Sequence, residues 1–192
     1  TTFILGLEAI KRGFELYFYS PSDLIYKNNN VYAKAKILDL AFENGKETFN
    51  YGEIKVLKLS SLDVILMRQD PPFNMSYITA THILEKIASQ TLILNNPFHV
   101  RNAPEKIFVT EFSKFMPETL ITRETNEIIK FKNKNKNIII KPLYGNGGEG
   151  VFYIKDNDSN FNVIIENFLN SSDEQFILQS YIPEAVSYTH LR

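Results

Sequence analysis

Apolar positions along the chain alternate between a helical and a strand spacing. A helical spacing opens it at Phe3, Leu7 and Ile10, and Gly13 closes that stretch. The following FELYFYS alternates and is rich in aromatics, which predicts a strand. Residues 22–59 are mixed, and NVYAKAKILDL and YGEIKVLKL predict strands around a loop holding Gly45 and Gly52. LDVILMR, from Leu62 to Arg68, is almost continuously apolar, as expected of a strand covered on both faces. YITATHILEKIAS then sets Ala80, Ile83, Leu84 and Ile87 at i, i+3, i+4 and i+7, an amphipathic helix. TLILNN predicts another short buried strand. Strand, helix, strand in this rhythm predicts a parallel α/β sheet. On that reading the opening helix and FELYFYS are the second half of a further unit, whose first strand is expected upstream of Thr1.

NAPEKIFVTEFSKF predicts a helix with Asn102 as N-cap and Pro104 near its first turn. The texture changes around Met116–Pro117, so a domain boundary is expected near residues 97–104 or 116. Beyond it, ETLITR, IIIKPL, VFYIK and QFILQSYIP read as short strands and TNEIIKFK as a short helix. Phe161, Ile164, Ile165 and Phe168 mark a second helix. This part reads as α+β with a more antiparallel sheet. KFKNKNKN, Lys130–Asn137, reads as a solvated helix end and loop, because no stacking aromatics interleave its lysines.

Composition narrows the function classes. Lys plus Arg is 21 and Asp plus Glu is 22, a net charge of −1, so no global field favours nucleic acid or an anionic membrane. With no cysteine there is no disulfide framework, thiolate nucleophile or cysteine zinc site, which suits a reducing cytoplasm. No apolar run reaches the roughly 18 residues of a membrane span. His82, His99 and His190 are too scattered to suggest a metal site or a triad.

The candidate chemistry lies in IIIKPLYGNGGEGVFYIK, Ile138–Lys155, where Gly145, Gly147, Gly148 and Gly150 fall within six residues. No lysine follows these glycines, so a Walker loop is excluded. Gly145, Gly147 and Gly150 match G-x-G-x-x-G, but that fingerprint must open a helix, and VFYIK is strand-like. A glycine-rich hairpin flap fits both flanks, its backbone N–H groups free to approach phosphate oxygens. An ordinary hairpin turn fits the loop alone equally well. Lys141, at the end of the preceding apolar run, adds a compact charge suited to phosphate, although a lysine there also serves to guard a sheet edge. Arg68 and Asp70 follow the LDVILM run at what would be the carboxyl end of a strand, where open α/β sheets bind ligands. A salt bridge and a helix N-cap would explain the same two residues.

IIIKPLYGNGGEGVFYI resembles the phosphate flap of ATP-grasp ligases. LDVILMRQDPPF, NNPFHVRNAPEKIFVTEF, PETLITR and LQSYIP, in that order, are similar to the bacterial glutathione synthetase branch, over about residue 3 to Pro183. The resemblance implies a parallel N-terminal α/β (pre-ATP-grasp) domain over 1–100, lacking its first strand. It implies a partial α+β ATP-grasp domain with a hairpin flap over 101–185, and a tail at 186–192 outside the family pattern. It further implies that Lys106 and Lys141 reach the nucleotide phosphates, and that Gly145, Asn146, Gly147, Gly148 and Gly150 close over the triphosphate. Gln179, Ser180, Tyr181 and Ile182 would form the hinge that receives adenine, and Arg68 and Asp70 would contact substrate.

The implied reaction is ATP-dependent ligation of γ-glutamylcysteine and glycine through an acyl phosphate, giving glutathione, ADP and phosphate. Mg²⁺ ligands would be carboxylates, which in this family come from an acidic cluster far downstream of the hinge. No such cluster occurs before Arg192, the first strand is expected upstream of Thr1, and the sequence departs from the family pattern after about Ala185, so the chain is expected to be truncated at both ends and to lack ligase activity by itself. The resemblance is compatible with a homo-oligomer when intact. Alternatives are another ATP-grasp carboxylate–amine ligase, a non-catalytic ATP-binding module, and a dinucleotide-binding protein.

Overall fold

The structure is a computed structural model that describes residues 2–187. The 188–192 stretch, which holds His190 and most of the tail expected to lie outside the family pattern, falls outside the described residues. The chain divides into two compact units, one ending at Asn102 and one beginning at Ala103.

In the first unit, α1 (Thr2–Lys11) leads to β1 (Leu16–Phe18), β2 (Leu24–Lys27), β3 (Asn30–Glu43) and β4 (Lys46–Lys58). β5 (Val64–Leu66), α2 (Met75–Glu85), β6 (Leu92–Leu94) and α3 (Pro97–Asn102) follow. β5 and β6 pair in parallel around α2, as the strand–helix–strand rhythm implied. The larger sheet is antiparallel: β1 and β2 share one edge of β3, and β4 runs along the other. FELYFYS is therefore three residues of an antiparallel sheet rather than half of a parallel unit. β3 and β4 form a hairpin turning at Asn44–Gly45, and Gly52 lies inside β4 at a bulge rather than in a loop.

The first core gathers Val31, Ala33, Leu59, Ile65, Met67, Leu84, Ile87 and Ile93. β5 is not covered on both faces within the described chain. Ile65 is buried, but Val64 and Leu66 on either side are exposed, because successive strand residues point to opposite faces. Asn74 is the N-cap of α2, its carboxamide oxygen accepting from the Tyr77 amide at 3.1 Å. Arg101 ties α3 to α2, through Glu85 at 2.9 Å and the Thr81 hydroxyl at 3.3 Å.

In the second unit, α4 (Glu105–Phe108) and a 3₁₀ segment (Val109–Phe115) precede β7 (Thr119–Thr122). Pro104, not Asn102, caps α4, and Asn102 is the last residue of α3. α5 (Thr125–Asn135), β8 (Ile138–Pro142), β9 (Phe152–Ile154), α6 (Phe161–Ser171), β10 (Phe176–Ser180) and α7 (Pro183–Ser187) complete it. The sheet is antiparallel throughout, in the order β7-β10-β8-β9. Its alternation sends Ile138, Ile140, Ile154, Phe176 and Leu178 into a core with Ile128, Phe131, Ile165 and Phe168 from α5 and α6. Ile139, Lys141, Tyr153 and Gln179 take the alternate positions, on the other face.

Two cations stitch this unit together. Lys132 lies within the stretch expected to be solvated, yet it is buried. Its ammonium donates to the Asp156 carbonyl at 2.8 Å and lies 3.8 Å from the Asp156 carboxylate. The long lysine stem makes this reachable, since its methylenes pack while its head finds a carbonyl. Arg123 donates to the carbonyls of Leu169 (2.9 Å), Glu174 (3.1 Å) and Ser172 around the end of α6. The Leu169 carbonyl, in the last turn of α6, is an acceptor that a helix C-terminus leaves without an intrahelical partner.

Candidate functional site

The glycine loop is the turn of the β8–β9 hairpin, with Ile140 paired to Phe152. A strand, not a helix, follows it, which removes the dinucleotide fingerprint. Its glycines do two different things. Gly147 (φ +62) and Gly148 (φ +83) occupy the left-handed region at the tip, with open space around them. Gly145 and Gly150 instead lie against the Pro142 ring, where an added Cβ would come within 3.1 Å and 2.9 Å. Pro142 thus forms the floor on which the hairpin closes. Within the loop the Glu149 amide donates to the Asn146 carbonyl at 3.0 Å and the Val151 amide to the Gly148 carbonyl at 3.4 Å. Among the described residues the amides of Gly147 and Gly148 meet no acceptor.

Two lysines converge beneath this loop. Lys106, on α4, donates to the Gly145 carbonyl at 2.5 Å and so holds the loop's first residue from below. Lys141, on β8, is part-buried, and its pKa is lowered first by that burial and then by the charge of Lys106; Glu105 partly offsets both. Two ammonium groups near enough to repel, one of them part-buried, accompany a loop whose tip amides are unbonded, a combination chemically suited to a multiply charged anion.

Gln179 to Ile182, expected to form the hinge, lie at the end of β10 and just beyond it. The Gln179 side-chain amide donates to the Thr119 hydroxyl at 3.0 Å, which keeps that side chain in the sheet. The Ser180 amide donates to the Glu118 carbonyl at 2.9 Å and the Tyr181 amide to the Asn137 carbonyl at 3.0 Å. The amide of Ile182, whose residue is 41% exposed, meets no acceptor among the described residues. The Tyr181 ring stacks on Tyr153, centroids 4.2 Å apart and planes 27° from parallel. Tyr153 escaped the sequence reading, although its alternation with Phe152 and Ile154 in VFYIK was visible. A cleft of about 480 Å³ opens beside it, lined by Asn137, Lys155 and the Asp156–Ser159 turn.

Arg68 and Asp70 belong to the first unit. Arg68 donates through Nε to the Thr2 hydroxyl at 3.1 Å, and the charge of Asp70, after burial, helps raise the Tyr77 pKa. No ion pair joins the two among the described residues, and Asn74 takes the capping role. Among the described residues no cluster of three or more His, Asp or Glu could hold a metal ion. No described helix is long and apolar enough to cross a membrane.

Solved structures place this architecture in a class. D-alanyl-alanine synthetase A from Vibrio cholerae aligns over 94% of this chain and 54% of its own, at a TM-score of 0.57 and 14% identity. The ATP-grasp ligase PsnB, in a complex with Mg and ADP, aligns over 94% and 60% at a TM-score of 0.51 and 14% identity. Likeness at that identity establishes the fold: the chain has the ATP-grasp ligase architecture. The sequence carries the assignment further. The model of the prokaryotic glutathione synthetase N-terminal domain matches residues 1–101, and that of the prokaryotic glutathione synthetase ATP-grasp domain matches residues 105–188. The chain belongs to the prokaryotic glutathione synthetase family. Glutathione synthetases of Agrobacterium fabrum and Brucella melitensis are 47% and 48% identical to it over 184 residues, 96% of this chain. The chain spans 57% and 59% of the length of those two relatives.

Proposed function

We propose that this chain provides the phosphate-gripping half of the nucleotide site of a glutathione synthetase. That enzyme would join γ-glutamylcysteine to glycine, with ATP converted to ADP and phosphate. The observation that carries the reading is the pairing of Lys106 and Lys141 beneath a glycine hairpin whose tip amides are unbonded.

A carboxylate is a poor electrophile, and transfer of the γ-phosphoryl group onto it creates an acyl phosphate that an amine can displace. In such chemistry positioning and charge stabilisation do most of the work. Lys141 and Lys106 would offset the phosphate charge, and the loop amides of Gly147 and Gly148 would donate to phosphate oxygens. Closure of the hairpin on its Pro142 floor would exclude water that otherwise hydrolyses the acyl phosphate. At the hinge, the Ile182 amide and the Tyr181 ring would receive adenine, with Gln179 and Ser180 holding the strand end through their own bonds. Arg68 and Asp70 are offered as substrate contacts of the first unit. Mg²⁺ is the ion that ATP chemistry implies, but the described residues present no carboxylate cluster for it. The charge available from them is therefore that of the two lysines.

The decisive experiment is ATP-dependent phosphate release by a protein of full family length carrying this sequence, across a panel of acids and amines. Release with γ-glutamylcysteine plus glycine, and not with D-alanine, is expected. Release with D-alanine alone would replace this reading by a D-alanine ligase.

A further inference from the structure

Asparagine followed by glycine occurs twice in the chain, at 44–45 and at 146–147. This dipeptide is chemically labile, because glycine has no side chain to keep its nitrogen from the carboxamide carbon of the preceding asparagine. In both pairs the asparagine is exposed, and the glycine amide meets no acceptor among the described residues. Backbone conformation separates them.

Asn44 and Gly45 are both left-handed, at φ +53 and +75, and form the two-residue turn between the paired Glu43 and Lys46. The turn itself explains asparagine there, since such turns favour Asn-Gly. Ring closure between an asparagine side chain and the next nitrogen swings ψ out of the left-handed region. Asn44 therefore reacts only when the end of a hairpin of 14- and 13-residue strands opens. Asn146 is not left-handed. It precedes the left-handed pair, Gly147 and Gly148, at φ +62 and +83. One bond spans that turn, from the Glu149 amide to the Asn146 carbonyl at 3.0 Å. The Asn146 carboxamide has no partner among the described residues, and open space surrounds Gly147. The Lys106 ammonium, bonded to the Gly145 carbonyl at 2.5 Å, supplies positive charge to the same loop. That charge favours the anionic nitrogen and the oxyanion through which such a ring forms.

We propose that Asn146 deamidates spontaneously through a cyclic imide formed with Gly147, well ahead of Asn44, so that the glycine loop is the chain's first point of chemical ageing. The Gly147 nitrogen gives its proton to solvent base and bonds to the Asn146 Cγ. The Cγ–Nδ2 bond then breaks, and ammonia leaves with the two Nδ2 protons and one from solvent. Water opens the imide at either carbonyl, which leaves aspartate or isoaspartate at position 146. The sum is one water consumed and one ammonia released, with no oxidant or reductant. Both products set a carboxylate beside amides suited to an anion, and isoaspartate also lengthens the backbone by one carbon. The modification does not rest on the nucleotide reading of the loop, whereas the resulting loss of anion affinity does.

The test ages the 192-residue chain in mildly alkaline buffer, folded and in urea, and reads its peptides by mass spectrometry and enzymatic isoaspartyl methylation. In the folded chain position 146 should convert roughly tenfold faster than position 44, and urea should bring the two rates together. Isoaspartate should accompany aspartate at 146, as an imide requires. Asn146→Gln should silence that site, because a six-membered ring closes far more slowly, while position 44 converts as before. Circular dichroism checks that each sample is folded. Calorimetry with tripolyphosphate should show the aged chain binding about 3- to 10-fold more weakly than the fresh one, the effect of one added negative charge. Equal rates in the folded chain, faster conversion at 44, or aspartate at 146 without isoaspartate overturns the proposal. Binding undiminished by ageing overturns the loss of affinity. A fresh chain that binds no tripolyphosphate overturns the phosphate reading of the loop instead, and the mass spectra still decide the modification.

Discussion

Lys141 lies part-buried on β8 with the Lys106 ammonium close enough to repel it, and burial first and that charge second push its pKa below 10.5. The sign follows from linkage. While protonated at neutral pH, Lys141 weakens the folded state, and that cost is relieved as pH rises from the lowered value toward 10.5. An anion reverses the preference by favouring the charged form. Tripolyphosphate affinity, measured by calorimetry, should fall with rising pH earlier than for an ordinary lysine. Lys141→Met or Lys106→Met should each lower that affinity about 10- to 100-fold, the value of a hydrogen bond to a charged group. Tyr19 runs the other way. Burial raises its pKa from 10.0 to about 12, so its contribution is intact below 10 and is lost as pH climbs toward 12. Alkaline denaturation should show that loss, on the order of 2 kcal/mol, and Tyr19→Phe should abolish this component.

Among the elements, the β8–β9 hairpin and α6 depend on single residues whose roles differ in how far the sequence announced them. Four glycines in six positions announced a turn needing unusual backbone, and the flanking strand patterns fixed it as a hairpin. What remained hidden was the division of labour, since nothing in the string says that Gly150 lies on the Pro142 ring at φ +67. Gly150→Ala should cost about 1–2 kcal/mol from the backbone alone, with the ring contact added. Thermal melting of the variant would measure it. Arg123 gave no signal, because a lone arginine after a strand most often faces water. Its three carbonyl partners lie about 46 to 51 residues away in sequence. Arg123→Ala should destabilise the second unit by about 1.5–3 kcal/mol in denaturant titration. Lys132 was misread for a related reason: its composition-rich neighbourhood argued for solvent, and only the packed α5 shows its head turned to Asp156.

Across the whole molecule, hydrophobic period was the reliable guide and strand direction the unreliable one. Ala80, Leu84 and Ile87 are buried as their spacing required, as are Ile165 and Phe168. The parallel β5–β6 pair was legible from LDVILMR and TLILNN, yet the dominant sheet of the first unit is antiparallel. Periodicity cannot distinguish a strand that turns back on its neighbour from one that crosses over, unless the connecting helix is also seen. The bulge at Gly52 was equally invisible, because it leaves the two halves of β4 individually regular and only shifts one against the other. For the candidate site, ordered motifs located the loop and its lysines, whereas Tyr153 had to wait for the stack with Tyr181.

The unbonded tip of the hairpin bears on affinity. Fixing the backbone of each residue in a single conformation costs about 1–2 kcal/mol, and glycines lose the most freedom. A loop that holds half of the chain's eight glycines therefore surrenders much of its binding energy in becoming ordered. On the proposed reading, an anion held by this loop would be gripped less tightly than its charge alone allows.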